Sequence, residues 1–200
     1  MVVPSRRQAA QLLLSLAPPE WLLRHSLAVA EVGSFLARRA ERAGHAVDRP
    51  LVESAALLHD IDKALAAAHP LHALGHGHAG AAWLSERGHG ELAAAVANHP
   101  VTRLADDAHW QRWSRAATLE ERLVAYADKR ATRRLVPMAV RFAEWHRRFP
   151  GDGQSHATAE QRARELERQV CAVVGLEPAQ FGRMRWAGRA VANARQERSR

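Results

Sequence analysis

The residues most able to do chemistry are spread through the first two thirds of the chain in the order His25, His59-Asp60, His76, His99 and Asp128. Imidazole and carboxylate without thiolate is a donor set for borderline to hard divalent ions such as Mn, Fe, Co, Ni or Mg, and unlike that of a thiolate-rich structural zinc site. His59-Asp60 follows the apolar run Ala55-Ala-Leu-Leu, so an imidazole and a carboxylate are carried toward an interior where they need a partner such as a metal. Asp128 follows Leu123-Val-Ala-Tyr-Ala and raises the same question, with an ion pair to Lys129 or an arginine as the alternative. His25, taken alone, reads first as an ordinary core or surface histidine of a helix; its weight as a ligand comes from the set.

Such distant residues meet only if the elements that carry them pack together. Apolar residues recur at three and four positions, and alternating β-branched runs are absent, so the expected fold class is all-α. Bundles build metal sites from side chains that face inward from several helices, each held by the surrounding core. Pro18 and Pro19 lead into a helix from Glu20 to about Arg42 that contains His25 and stops at Gly44. A helix capped by Asp48, with Pro50 in its first turn, runs to His59-Asp60. A loop with His69, His72 and Gly75 follows, then short segments His76 to about Glu86 and Glu91 to Asn98, the second ending at His99-Pro100. Thr102 to Ala117 reads as a polar, Trp-containing stretch; Thr118 with Glu121 forms a capping box that opens the Asp128 helix. Pro137 to Phe149, Thr158 to Val174 and Pro178 to about Ala194 read as further helices, with disorder expected at residues 196–200. The whole is expected to be one domain, with a core over about 20–135 and a helical extension over about 136–195.

Composition narrows the function classes. A single cysteine, Cys171, excludes an intramolecular disulfide; no apolar run approaches the roughly 20 residues of a membrane span, and no signal-peptide pattern is evident, so a soluble cytoplasmic protein is expected. The net charge of +8 brings nucleic acid into view, but only Lys63 and Lys129 are lysines, and a chain rich in Arg and Ala is what a coding bias produces. The C-terminal arginines Arg183, Arg185, Arg189, Arg195, Arg198 and Arg200, interleaved with Met184 and Trp186, could bind single strands; the preferred reading is a terminal amphipathic helix that packs Phe181, Met184 and Trp186 onto the domain and turns its arginines to solvent.

The order H, HD, H, H, D resembles the HD-domain superfamily of metal-dependent phosphohydrolases, and Leu58-His-Asp-Ile-Asp-Lys63 resembles its HDIGK-type motif. The likeness covers about residues 20 to 135, and Tyr126-Ala-Asp-Lys-Arg130 resembles a bacterial subgroup of small, stand-alone HD hydrolases. The resemblance implies that His25, His59, Asp60 and Asp128 hold a primary metal, with Asp60 bridging to a second ion held by His76 and His99. His76 takes that place because it stands four residues before Gly80; His78 remains its competitor. Asp62 replaces the motif's usual glycine and could hold a water or orient His59. Lys63 and Arg130 are expected to bind substrate phosphate, since phosphoryl transfer is catalysed largely by orientation and positive charge. His69 and His72 could touch substrate but read first as solvated, and His45, His89, His109, His146 and His156 read as surface residues. The function implied is hydrolysis of a phosphate ester or anhydride of a nucleotide or dinucleoside polyphosphate, the six-position order resembling the branch that cleaves diadenosine tetraphosphate symmetrically. An RNA-directed phosphodiesterase and a non-catalytic metal-containing binding module are the alternatives.

Overall fold

A computed structural model describes residues 3–150 and 153–198. Among them are eleven α-helices joined by turns and short 3-10 segments, and no strand. The order is α1 (Arg6–Ser15), α2 (Glu20–Arg42), α3 (Arg49–Leu58), α4 (His78–Ser85), α5 (Ala93–Asn98), α6 (Val101–Ala105), α7 (Asp107–Ala116), α8 (Leu119–Lys129), α9 (Met138–Arg148), α10 (Gly153–Val174) and α11 (Ala187–Arg198). No helix of the described residues is long and apolar enough to cross a membrane.

Helices α2, α3 and α8 pack against one another as the centre of the fold, with α5 against α3 and α8, and α10 closing over α2, α6 and α8. Helix α3 explains why this centre holds polar groups. Asp48 caps it through Leu51 N, and every residue from Val52 to Leu58 is buried, so the helix drives its C-terminal end inward. Burying Leu57 and Leu58 is worth about 1.5–3 kcal/mol each, which offsets part of the cost of carrying His59 and Asp60 with them. Helix α8 starts at the expected Thr118–Glu121 capping box, and Glu121 also accepts from Asn98 Nδ2 at 2.7 Å and Trp113 Nε1 at 2.9 Å. One carboxylate thus ties the ends of α5 and α7 to α8.

Several expected boundaries change. Residues 102–117 form α6 and α7 rather than one polar stretch: Asp106 caps α7 through His109 N, and Trp110 and Trp113, three residues apart, bury the same face. The segment expected from His76 begins as a helix only at His78, and the segment from Glu91 is a 3-10 turn that becomes α5 at Ala93. Pro178 to Ala194 is no single helix, because non-helical backbone with Arg185 at φ 50° separates a 3-10 turn from α11. Residues 196–198, expected to be disordered, complete α11; Ser199 and Arg200 lie outside the described residues. Phe181 and Trp186 are buried, Met184 packs on the core and Arg183, Arg185 and Arg189 are exposed, so the expected inward and outward sides are present, but residues 181–186 form them as non-helical backbone rather than as the expected amphipathic helix. One continuous apolar cluster runs from Ala9 in α1 to Ala194 in α11, so the C-terminal helices share the core of the residues before them.

Candidate metal centre

Five elements converge on Asp60. His25 projects from the first half of α2, His59 and Asp60 from the end of α3, His99 from the end of α5 and Asp128 from the last turn of α8; these five are almost entirely buried. His76, from the loop before α4, is the most open member, its side chain 35% exposed.

Backbone carbonyls fix the rings. Nδ1 of His25 donates to Thr132 O at 2.8 Å, that of His59 to Ala56 O at 2.8 Å and that of His99 to Val96 O at 2.6 Å. For His76 the acceptor is a carboxylate, Asp62 Oδ2, at 2.8 Å. Each Nε2 is thereby turned toward Asp60, the arrangement in which an imidazole's second nitrogen sets its tautomer for a metal.

The Nε2 atoms fall into two groups, one on each oxygen of Asp60. On the Oδ2 side stand His25 Nε2 at 3.6 Å and His59 Nε2 at 3.5 Å, these two being 3.1 Å apart, with Asp128 Oδ1 3.1 Å from His25 and 3.8 Å from His59. On the Oδ1 side stand His76 Nε2 and His99 Nε2, each at 3.3 Å. Donors each about 2.1 Å from one ion lie roughly 3–3.4 Å from one another, close to these spacings. With the Nδ1 atoms on backbone carbonyls, the His25 and His59 Nε2 atoms and the Asp128 carboxylate converge on one region, a donor set that a cation would bind. The donor set therefore fits a divalent ion. Three overlapping groups, His25–His59–Asp128, His59–Asp60–His99 and Asp60–Asp62–His76, each offer atoms within 4.8 Å of one another.

The electrostatics agree with a site made for positive charge. Burial alone would raise the pKa of Asp60, but His59, His76 and His99 outweigh it and hold the carboxyl well below its usual range. Asp128 is likewise held low against burial, by Lys129, His25 and Arg141. Burial presses His99 down to about 4, although Asp60 pulls the other way; for His76, burial is overcome by Asp60 and Asp62, and its pKa rises to about 9.

Residues 22–133 match the family model of the HD domain. The chain belongs to the HD-domain family. No curated protein matches it. No solved structure matches it. HD domains form a superfamily of metal-dependent phosphohydrolases that bind divalent metals, and the buried His/Asp cluster lies within the matched span.

The structure brings together all six positions expected from the HD pattern, and corrects three expectations around them. Asp62 holds His76 rather than His59, accepting also from Gly77 N at 3.3 Å. Arg130 does not face substrate: its guanidinium donates to Val136 O, Tyr126 Oη, Glu167 Oε1 and Pro178 O, and its side chain is 5% exposed. It is a tie between α8 and the C-terminal helices. His156, expected on the surface, lines the cleft beside the site, its ring stacked 4.8 Å from that of His146.

His78, the alternative to His76, is exposed at the start of α4. Gly77 separates the two, with φ 84° and a backbone so close to Ala97 O that an added Cβ would lie 2.9 Å from it. Gly80 lets α4 lie against Ile61 and Val96, where a Cβ would meet both at 3.2 Å. His69 and His72 contact each other in the exposed loop and do not line the cleft. Lys63 Nζ lies 2.8 Å from Asp60 Oδ2 with its side chain 39% exposed.

The cleft above the site has a volume of about 1210 Å³. Sequence reasoning missed its far wall: Arg141, Trp145 and Arg148 from α9, with Phe149 just beyond, face Trp21 and Lys63 across a floor of His25, Asp60, His76, His99 and Asp128. Arg141, Trp145 and Arg148 fall at i, i+4 and i+7, one face of a helix, and that spacing was a readable signal. Lys129 was weighed only as a partner for Asp128; it is fully buried and also donates to His99 O at 2.7 Å, joining the ends of α8 and α5.

Proposed function

We propose that this HD-domain protein hydrolyses a phosphate ester or anhydride of a nucleotide or dinucleoside polyphosphate. His25, His59, Asp60 and Asp128 would hold one divalent ion, and Asp60, His76 and His99 a second. The observation that carries this reading is the division of Asp60: its two oxygens face two separate groups of imidazoles, a layout for a carboxylate shared by two ions. Bound divalent ions supply Lewis-acid charge that neutralises phosphoryl oxygens and lower the pKa of water.

The chain's own residues position the parts. Backbone carbonyls hold three imidazoles in one tautomer, and Asp62 does the same for His76. Lys63, paired with Asp60 yet open to the cleft, is placed to take a phosphate oxygen. The cleft exceeds the roughly 300–1,000 Å³ of common small-molecule sites, which suits an extended ligand. Trp21 and Phe149, 47% and 50% exposed, line it and offer ring faces on which bases can stack. Residues 136–195 belong to the same catalytic unit on this reading, since α9 supplies part of the wall and the core is shared.

An RNA-directed phosphodiesterase is the second reading, favoured by the arginines Arg133, Arg141, Arg147 and Arg148 along the cleft. Hydrolysis of a panel of mononucleotides, dinucleoside polyphosphates and short RNAs, by protein loaded with Mn or Co and by protein stripped with a chelator, tests both. Metal-dependent turnover of a small nucleotide that changes little with salt is the expected result. A steep loss of RNA cleavage as salt rises would select the second reading; metal-replete protein that turns over nothing in the panel would contradict both.

A further inference from the structure

Arg130 and Arg141 stand eleven residues apart on either side of the α8–α9 junction, and their guanidinium groups have opposite surroundings. Arg130 is committed to four oxygens inside the protein. Arg141 approaches Asp128 only at arm's length, with Nη2 3.5 Å from Oδ1 and Nε 3.5 Å from the backbone oxygen, both at the outer limit of a hydrogen bond. Its side chain is 25% exposed and lines the cleft.

Asp128 does not need Arg141 as a counter-charge. Lys129 Nζ already donates to Oδ2 at 2.6 Å from a buried position. Arg141 leans instead on Oδ1, the oxygen turned toward His25 at 3.1 Å and therefore toward the deeper group of candidate ligands. Across the floor, Lys63 leans on the other acid, Asp60. The cleft is thus flanked by one partly exposed cation beside each acidic candidate ligand, and one of the two comes from a helix that begins after the matched span ends at residue 133.

From this geometry we propose that Arg141 is the residue of α9 that binds the substrate's phosphate at this centre, the task expected from sequence of Arg130. The proposal rests on the metal-centre reading above. A guanidinium presents a fixed fork of N–H donors that matches two phosphate oxygens, whereas an ammonium is a single point charge. A guanidinium that reaches Asp128 only at 3.5 Å can turn to phosphate, and a divalent ion held by Asp128 would repel it from that carboxylate. Lys63 and Arg141 would hold a phosphate group from two sides. The more exposed Arg133 and Arg148 would lie farther along the cleft, toward further phosphates of a longer substrate.

The test is titration of Mn-loaded full-length protein with inorganic phosphate, followed by calorimetry, in wild type, Arg141→Ala and Arg141→Lys, with bound metal and melting temperature measured on each sample. The expected result is a roughly tenfold to hundredfold weaker phosphate affinity in Arg141→Ala. Arg141→Lys should fall between, with metal content and melting temperature unchanged. Phosphate affinity equal to wild type in Arg141→Ala would overturn the proposal and leave the metal-centre reading standing. Loss of metal in Arg141→Ala would also overturn it, assigning Arg141 to support of Asp128. Wild-type protein that holds metal but no phosphate would overturn the phosphohydrolase reading and this proposal with it.

Discussion

The two sides of Asp60 are built differently. On the Oδ2 side, His25, His59 and Asp128 come from three helices, α2, α3 and α8, that pack on one another in the centre of the fold, and all three residues are buried. On the Oδ1 side, His99 ends the six-residue helix α5, while His76 sits in a loop, open to the cleft and steadied by Asp62. Ligands on packed helices are fixed by the core, and ligands on loops by whatever side chain holds them. The deep side should therefore resist change in its surroundings and the open side should depend on single contacts.

The largest expected effect follows from the one residue that both sides share. Asp60→Ala should abolish metal retention and phosphoester hydrolysis together while circular dichroism shows the helices intact; loss of metal with unchanged turnover would break the account. Asp128→Ala should show how firmly the deep side is tied into the fold. It strands Lys129 as a buried unpaired charge, so stability to urea should fall by about 3–5 kcal/mol even in metal-free protein. His76→Ala, whose side chain is 35% exposed where it meets Asp60 and Asp62, should cost less stability than Asp128→Ala.

On the open side, Asp62→Ala should weaken the second ion alone by about 10- to 100-fold, measured by competition with a chromogenic chelator, because it removes the acceptor that orients His76 and touches none of the deep ligands. Equal weakening of both ions would erase the distinction. The smallest effect is expected from His78→Ala. His78 is exposed at the start of α4 and belongs to none of the grouped donors, so metal content and turnover should match wild type; a fall like that of His76→Ala would exchange the two histidines.

The same contrast governs how far the sequence could be read. His59-Asp60 and Asp128 were visible because a polar residue that follows an apolar helical run is carried into the core, where it needs a partner, while His25 was singled out only by its place in the order of the set. The caps at Asp48 and Thr118 placed the helices of His59-Asp60 and Asp128 nearly to the residue. His76 was preferred to His78 on its spacing to Gly80; its approach to Asp60 and Asp62 depends on the loop before α4, where Gly75 and Gly77 take positive φ, which periodicity does not report. Arg130 was read as a phosphate binder from its nearness to Asp128 in sequence, and Arg141, set among Ala139, Val140, Phe142 and Ala143 in the next helix, drew no notice. Only the chain's path after Ala131 decides that the first meets Glu167 and the second the cleft. Asp62 was noticed as a departure from the motif's glycine, but its partner depends on how the loop before α4 returns to the site.

The central claim is that the carboxylate of Asp60 serves two ions, and counting bound metal tests it most directly. Elemental analysis of purified protein should give about two equivalents per chain, falling toward about one in His99→Ala with the melting temperature preserved. A single equivalent in the wild type, unaffected by His99→Ala, would contradict the claim and leave a mononuclear centre of His25, His59, Asp60 and Asp128.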